Sequence, residues 1–123
     1  MASILVVAGP NEGDYYPMKK RTLVIGRDEG AAIQITDQRI SRKHLQLRFE
    51  DAKQQYLALD MKSANGTLIN GRAVTTEVAL VDGDEISIGS SKIVFSTTEF
   101  ADRESAFANW KQRGERGKPT IQQ

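Results

Sequence analysis

Apolar and polar residues alternate along most of this chain in short runs, each closed by glycine, proline, asparagine or aspartate. Residues 3–8 form an apolar run rich in β-branched side chains and end at Gly9-Pro10-Asn11, which predicts a strand and then a turn. Residues 15–18 predict a short edge strand, because Pro17 cannot donate to a ladder. A strand over 22–25 should end at Gly26, and a brief one over 31–35 puts Ile33 and Ile35 on one face. From His44 to Phe49 the alternation is clean, so Leu45, Leu47 and Phe49 face a core. Further strands are predicted at 56–59, 67–69, 78–80, 85–88 and 92–96, with turns at 81–84 and 89–91. Close to ten short strands, with no helical period before residue 97, predict an all-β sandwich.

The pattern changes after Thr97. Thr98 is a suitable N-cap with acids following it, and Phe100, Phe107 and Trp110 fall near one face of a short C-terminal α-helix. Gly114 is the expected stop, and residues 114–123 are polar enough to be disordered. Such a helix either lays its aromatic side chains on the sandwich flank or offers them to a partner or a second copy. Thr120 lies in that polar end, and the C-terminal segment as a whole is a candidate for self-association. The chain divides on this pattern into a sandwich over 1–96 and a helix with a tail over 97–123.

Composition removes several function classes. A chain of 123 residues suits one domain, and 39% hydrophobic with 27% charged residues is ordinary for a globular protein. No apolar run approaches the roughly 20 residues that span a bilayer. The apolar start lacks a basic flank and a long hydrophobic stretch, so neither a signal peptide nor a membrane partner is expected. Without cysteine there is no disulfide framework or thiolate metal site, and one histidine cannot build a His-rich zinc site. No metal or cofactor is expected, and the absence of cysteine is compatible with a cytoplasmic location. Net charge is +1, and residues 1–96 carry 12 basic and 12 acidic side chains. That balance argues against nucleic acid as a partner. Basic spots remain at Lys19-Lys20-Arg21 and at Arg39, Arg42 and Lys43. They suit a single anionic group better than a polyanion.

Four short signals between residues 26 and 71 carry candidate chemistry. They are Gly26-Arg27, Ser41-Arg42-Lys43-His44, Asn65-Gly66-Thr67 and Asn70-Gly71, each where a strand starts or stops. Each has an ordinary explanation: a glycine that lets a strand turn, a turn hydroxyl, two hairpin turns. Together they bring a permanently charged guanidinium, a hydroxyl followed by two more cations, and an asparagine on a tight turn. Those groups suit a multi-oxygen anion carried on an extended chain. No nucleophile–base pair or metal cluster accompanies them, and Asp82 and Asp84 flank a turn glycine in the manner of hairpin residues.

In this order and spacing the four signals resemble the signature of the forkhead-associated (FHA) domain. The resemblance implies an FHA-type antiparallel β-sandwich that binds threonine-phosphorylated proteins or peptides and catalyses nothing, in a Ser/Thr kinase pathway. It implies that Arg27, Ser41 and Arg42 reach the phosphate, that Asn65 with Gly66 clamps the peptide backbone, and that a pocket takes the threonine γ-methyl. Gly26, His44, Asn70 and Gly71 would be structural, with His44 bracing the loops. The alternative for Asn65 is that it serves only left-handed turn geometry. The chain departs from the pattern at Ala64, where many FHA domains carry a phosphate-binding hydroxyl; Ser63 lies one residue earlier. The alternative function is a phosphorylation-independent FHA scaffold for protein assembly.

Overall fold

A computed structural model describes residues 2–117, the last five of them as backbone only. Eleven strands precede one helix. They are β1 (Ser3–Ala8), β2 (Tyr15–Pro17), β3 (Leu23–Gly26), β4 (Ile33–Gln34), β5 (Leu45–Glu50), β6 (Gln55–Asp60), β7 (Thr67–Ile69), β8 (Arg72–Ala73), β9 (Val78–Ala79), β10 (Glu85–Ile88) and β11 (Ser91–Ser96). The helix, α1, covers Arg103–Gly117. One sheet runs β2-β1-β11-β10-β7-β8 and the other β4-β3-β5-β6-β9. All pairings are antiparallel except β3 with β4. The alternating pattern thus produced the sandwich it predicts. The two-residue strand at Arg72–Ala73 has no apolar alternation and was not expected.

The two inner faces meet in one core. Ile4, Val6, Ile69, Ile86, Ile88, Ile93 and Phe95 come from the first sheet, and Leu23, Ile25, Ile33, Leu45, Leu47, Tyr56 and Ala58 from the second. Each fully buried Ile or Leu contributes about 1.5–3 kcal/mol through the apolar surface it removes from water. Tyr56 stacks edge-on against Phe95, with ring centroids 5.7 Å apart. Phe49, expected in the core, is only partly buried because it lies near the end of β5, where the layer opens. Ile35 and Ile40 lie in the loop between β4 and β5 yet are buried. They anchor that loop to the core from inside.

The C-terminal region corrects three expectations. The helix does not start at Thr98: its cap is Asp102, whose Oδ1 accepts the Ser105 N–H at 2.9 Å. Phe100 stays outside the helix, where its N–H donates to the Tyr15 hydroxyl at 2.6 Å and its carbonyl accepts from that hydroxyl at 3.1 Å. Gly114 does not end the helix, which continues to Gly117. A glycine within a helix costs only about 1 kcal/mol, so its stop signal is weak without a left-handed residue to follow. With that stop goes the disorder expected from Gly114 onward, since 114–117 are helical; residues 118–123, Thr120 among them, lie outside the described residues. Ala106, Phe107 and Trp110 pack with Phe100 and Tyr15 on Leu5, Val7 and Val94, the outer face of β1 and β11. A bulge at Val7 shifts the register there. The aromatic residues therefore lie on the sandwich flank.

Ala106→Asp should place an unpaired charge in this secondary cluster and detach α1 while the sandwich stays folded. Trp110 fluorescence should shift to the red with the far-ultraviolet strand signal unchanged. Loss of both signals together would mean that the sandwich depends on the helix.

Candidate functional site

Three loops meet at one end of the sandwich: β3–β4 with Arg27, β4–β5 with Ser41, and β6–β7 with Asn65. Backbone bonds join the first two, from Arg27 N–H to Ser41 O at 3.1 Å and from Asp28 N–H to Arg42 O at 3.2 Å. Gly26 is what lets them approach. Its backbone is not in the left-handed region, so turning is not its role. A Cβ there would collide with the Arg42 carbonyl.

The Arg27 guanidinium is fixed by its Nε–H, which donates to Ile40 O at 3.0 Å. Its two terminal amino groups bond no other described residue. The Ser41 hydroxyl oxygen accepts the Ala64 N–H at 2.9 Å, which leaves the hydroxyl hydrogen to donate elsewhere. Arg42 and Lys43 carry exposed side chains beside it. Asn65 donates from Nδ2 to Arg39 O at 2.8 Å, so its side chain links β6–β7 to β4–β5. Its backbone φ is not positive; the left-handed residue is Gly66, at φ +80°. Left-handed geometry therefore does not account for asparagine at 65.

His44 holds the arrangement from beneath. It is fully buried, accepts the Ser41 N–H on Nδ1 at 3.1 Å, and has Nε2 2.8 Å from Gly66 O. An acceptor Nδ1 requires the proton on Nε2, so Nε2–H donates to the Gly66 carbonyl. One ring thereby fixes the Ser41 turn and the Asn65-Gly66 turn relative to each other.

Asn70 and Gly71, at φ +50° and +84°, form the β7–β8 hairpin turn as the sequence predicts. Asn70 does more than turn: its Nδ2 donates to Asp84 Oδ1 at 2.8 Å and its Oδ1 accepts the Glu85 N–H at 3.0 Å. Asp84 also accepts the Val81 N–H, in keeping with a hairpin residue.

Two supporting aspartates escaped the sequence reading. Asp37, 5% exposed, accepts from Arg39 N–H, Ser90 N–H and the Ser91 hydroxyl at 2.7–2.9 Å, fastening the Ser41 loop to the β10–β11 turn. Asp60 accepts from the Ser63 hydroxyl and N–H and from the Thr67 hydroxyl at 2.6–3.0 Å. The available signal was an acid inside a polar loop, four residues before Ser41, and an acid closing the apolar run Leu57-Ala58-Leu59. Ser63 is engaged by Asp60 and by the Gly66 N–H at 3.0 Å, so it does not supply the hydroxyl missing at Ala64.

Burial by itself would raise both aspartate carboxyls. The donated hydrogen bonds, from Arg39, Ser91 and Ser90 to Asp37 and from Ser63 and Thr67 to Asp60, outweigh it and hold both below the ordinary value of 3.8. Carboxyls depressed by folding stabilise the native state fully above their unfolded value, and that contribution disappears as pH falls through the folded value. Stability should therefore hold down to about pH 4 and fall below it. Thermal unfolding across that range should show the drop, with a shallower slope in Asp37→Asn; an unchanged slope would remove Asp37 from the explanation.

The FHA domain sequence model matches residues 23–89, which contain all four motifs. The glycogen accumulation regulator GarA of Mycolicibacterium smegmatis is 35% identical over 96 residues, 78% of this chain and 59% of GarA. The chain thus spans under two thirds of that curated relative. An FHA domain solved for the structural and functional analysis of phosphothreonine-dependent FHA domain interactions superposes with a TM-score of 0.70 at 30% identity, covering 80% of this chain and 98% of that one. The FHA domain of an Arabidopsis thaliana hypothetical protein superposes with a TM-score of 0.73 at 34% identity, covering 82% and 88%.

Proposed function

This chain belongs to the FHA domain family, and we propose that it is a phosphothreonine-peptide-binding adaptor module without catalytic activity. The observation that carries the reading is the Arg27 guanidinium, pinned through Nε to Ile40 O with its terminal amino groups unengaged beside Ser41. A phosphate dianion needs donors that keep their protons, and a fixed fork can meet two of its oxygens at once. The Ser41 hydroxyl donates to a third oxygen, and Arg42 adds charge from the exposed side. Asn65, with a donor and an acceptor on one amide, holds the peptide backbone over the Gly66 turn. Because Ile40, Asp37 and His44 hold these groups before any ligand arrives, little ordering entropy remains to oppose binding.

The partner is a protein phosphorylated on threonine by a Ser/Thr kinase, and relatives described as regulators support a signalling role. Residues 1–96 act as the binding domain, and residues 97–123 as a C-terminal helix and tail. Among the described residues no helix is long and apolar enough to cross a membrane.

Binding is tested by calorimetry against a peptide library degenerate around a fixed phosphothreonine. Arg27→Ala should keep the fold and lose affinity by roughly tenfold to over a hundredfold, the worth of a charge-assisted bidentate contact. Equal affinity for the unphosphorylated library would instead select the phosphorylation-independent scaffold. Exchanging phosphothreonine for phosphoserine should weaken binding about fourfold, as expected for one buried methyl group. Equal binding of the two would remove the methyl pocket from the mechanism.

A further inference from the structure

We propose that Asn65 is a site of spontaneous deamidation, and that its conversion shuts the loop cluster to phosphopeptides; the second half rests on the function proposed above. The chain carries two Asn-Gly pairs, Asn65-Gly66 and Asn70-Gly71. A glycine on the C-terminal side leaves its amide nitrogen unshielded by a Cβ, so that nitrogen can reach the asparagine side chain. The Gly66 nitrogen, having given up its proton, bonds to Asn65 Cγ; the Cγ–Nδ2 bond breaks and the nitrogen leaves as ammonia. Water then opens the cyclic imide at either carbonyl, leaving aspartate or isoaspartate at position 65. The net change is amide plus water to acid plus ammonia, with no oxidant or reductant.

The fold treats the two pairs differently. Both glycines stand in open space, so the difference lies in the asparagines. Asn70 is held at Nδ2 by Asp84, at Oδ1 by the Glu85 N–H, and through its own N–H by Glu85 O at 2.8 Å. With both ends of its amide bonded, Cγ cannot swing toward the Gly71 nitrogen. Asn65 is exposed, as Asn70 is, but among the described residues its amide is held only at Nδ2, by Arg39 O. The Gly66 N–H rests on one hydroxyl, Ser63, that is itself committed to Asp60.

The product damages the site twice. A carboxylate in place of the amide faces the Arg39 carbonyl with no proton to donate, and it sets negative charge beside a pocket built for a dianion. Isoaspartate also lengthens the backbone by one carbon in the turn that His44 grips at Gly66 O. A bound peptide that engages the Asn65 amide immobilises it, so occupied protein should convert more slowly than empty protein.

The full chain is incubated in mildly alkaline buffer at physiological temperature, alone and with the phosphothreonine library, and mapped by mass spectrometry. Position 65 should convert first, position 70 should stay amide, and the library should slow conversion at 65. Conversion at 70 as fast as at 65, or at neither while urea-unfolded chain converts at both, overturns the modification site. Asn65→Asp, checked for folding by circular dichroism, should bind the library roughly tenfold or more weakly; full affinity overturns the second half alone. If fresh wild-type chain ignores the library, the functional reading and the second half fall together, and the peptide map still decides the modification.

Discussion

The His44 imidazole is the constraint on which the rest of the site depends. Its two nitrogens bond backbone groups 25 residues apart in sequence, the Ser41 N–H and the Gly66 carbonyl. Neither bond tolerates the other tautomer, so the ring works as a fixed strut between the Ser41 turn and the Asn65-Gly66 turn, which carry the groups proposed to meet the ligand. Because it is buried, water does not compete for either bond. A histidine beside Ser41 and Asp60 invites a catalytic reading, yet both ring nitrogens are committed to main chain.

Around that strut the sandwich supplies rigidity to loops that must stay exposed. Ile35 and Ile40 plug the β4–β5 loop into the core, and Asp37 ties it to the turn before β11. Asp60 does the same for the β6–β7 loop through Ser63 and Thr67. Half-buried Arg27 and exposed Arg42 and Asn65 are thus carried on loops tied to one another and to the sandwich by hydrogen bonds. That arrangement permits side chains to remain available to a ligand without a mobile scaffold beneath them.

The sandwich was legible in the sequence because one buried face per strand forces a period of two, as in Leu45-Gln46-Leu47. Arg27, Ser41 and Asn65 were legible as a set because their residue types repeat a family pattern. Their convergence and the bracing by His44 were legible only through that family pattern, whereas the close approach at Gly26 that permits it, against the Arg42 carbonyl, has no mark in the residues themselves. Asp37 and Asp60 were missed because in sequence one is an acid inside a polar loop and the other an acid closing a strand, and neither position marks which donors will turn toward it. The helix start was misread because Thr98 and Asp102 are both good caps. Tertiary bonds chose between them, with Thr98 O taken by the Ser3 hydroxyl at 2.6 Å and Phe100 taken by Tyr15. Ala64 remains a departure with a geometric consequence, because its N–H goes to Ser41 and no neighbouring hydroxyl replaces the missing one.

The central claim is that one prebuilt end of the sandwich, braced by His44, receives the phosphorylated residue. Amide NMR of the labelled chain during titration with a phosphothreonine peptide selected from the library tests it most directly. The account predicts that the largest shifts fall together on Arg27, Ser41, Arg42 and residues 64–66, with the His44 ring keeping its proton on Nε2 throughout. Shifts centred on another face of the sandwich, or a ring proton that moves to Nδ1 on binding, would contradict it.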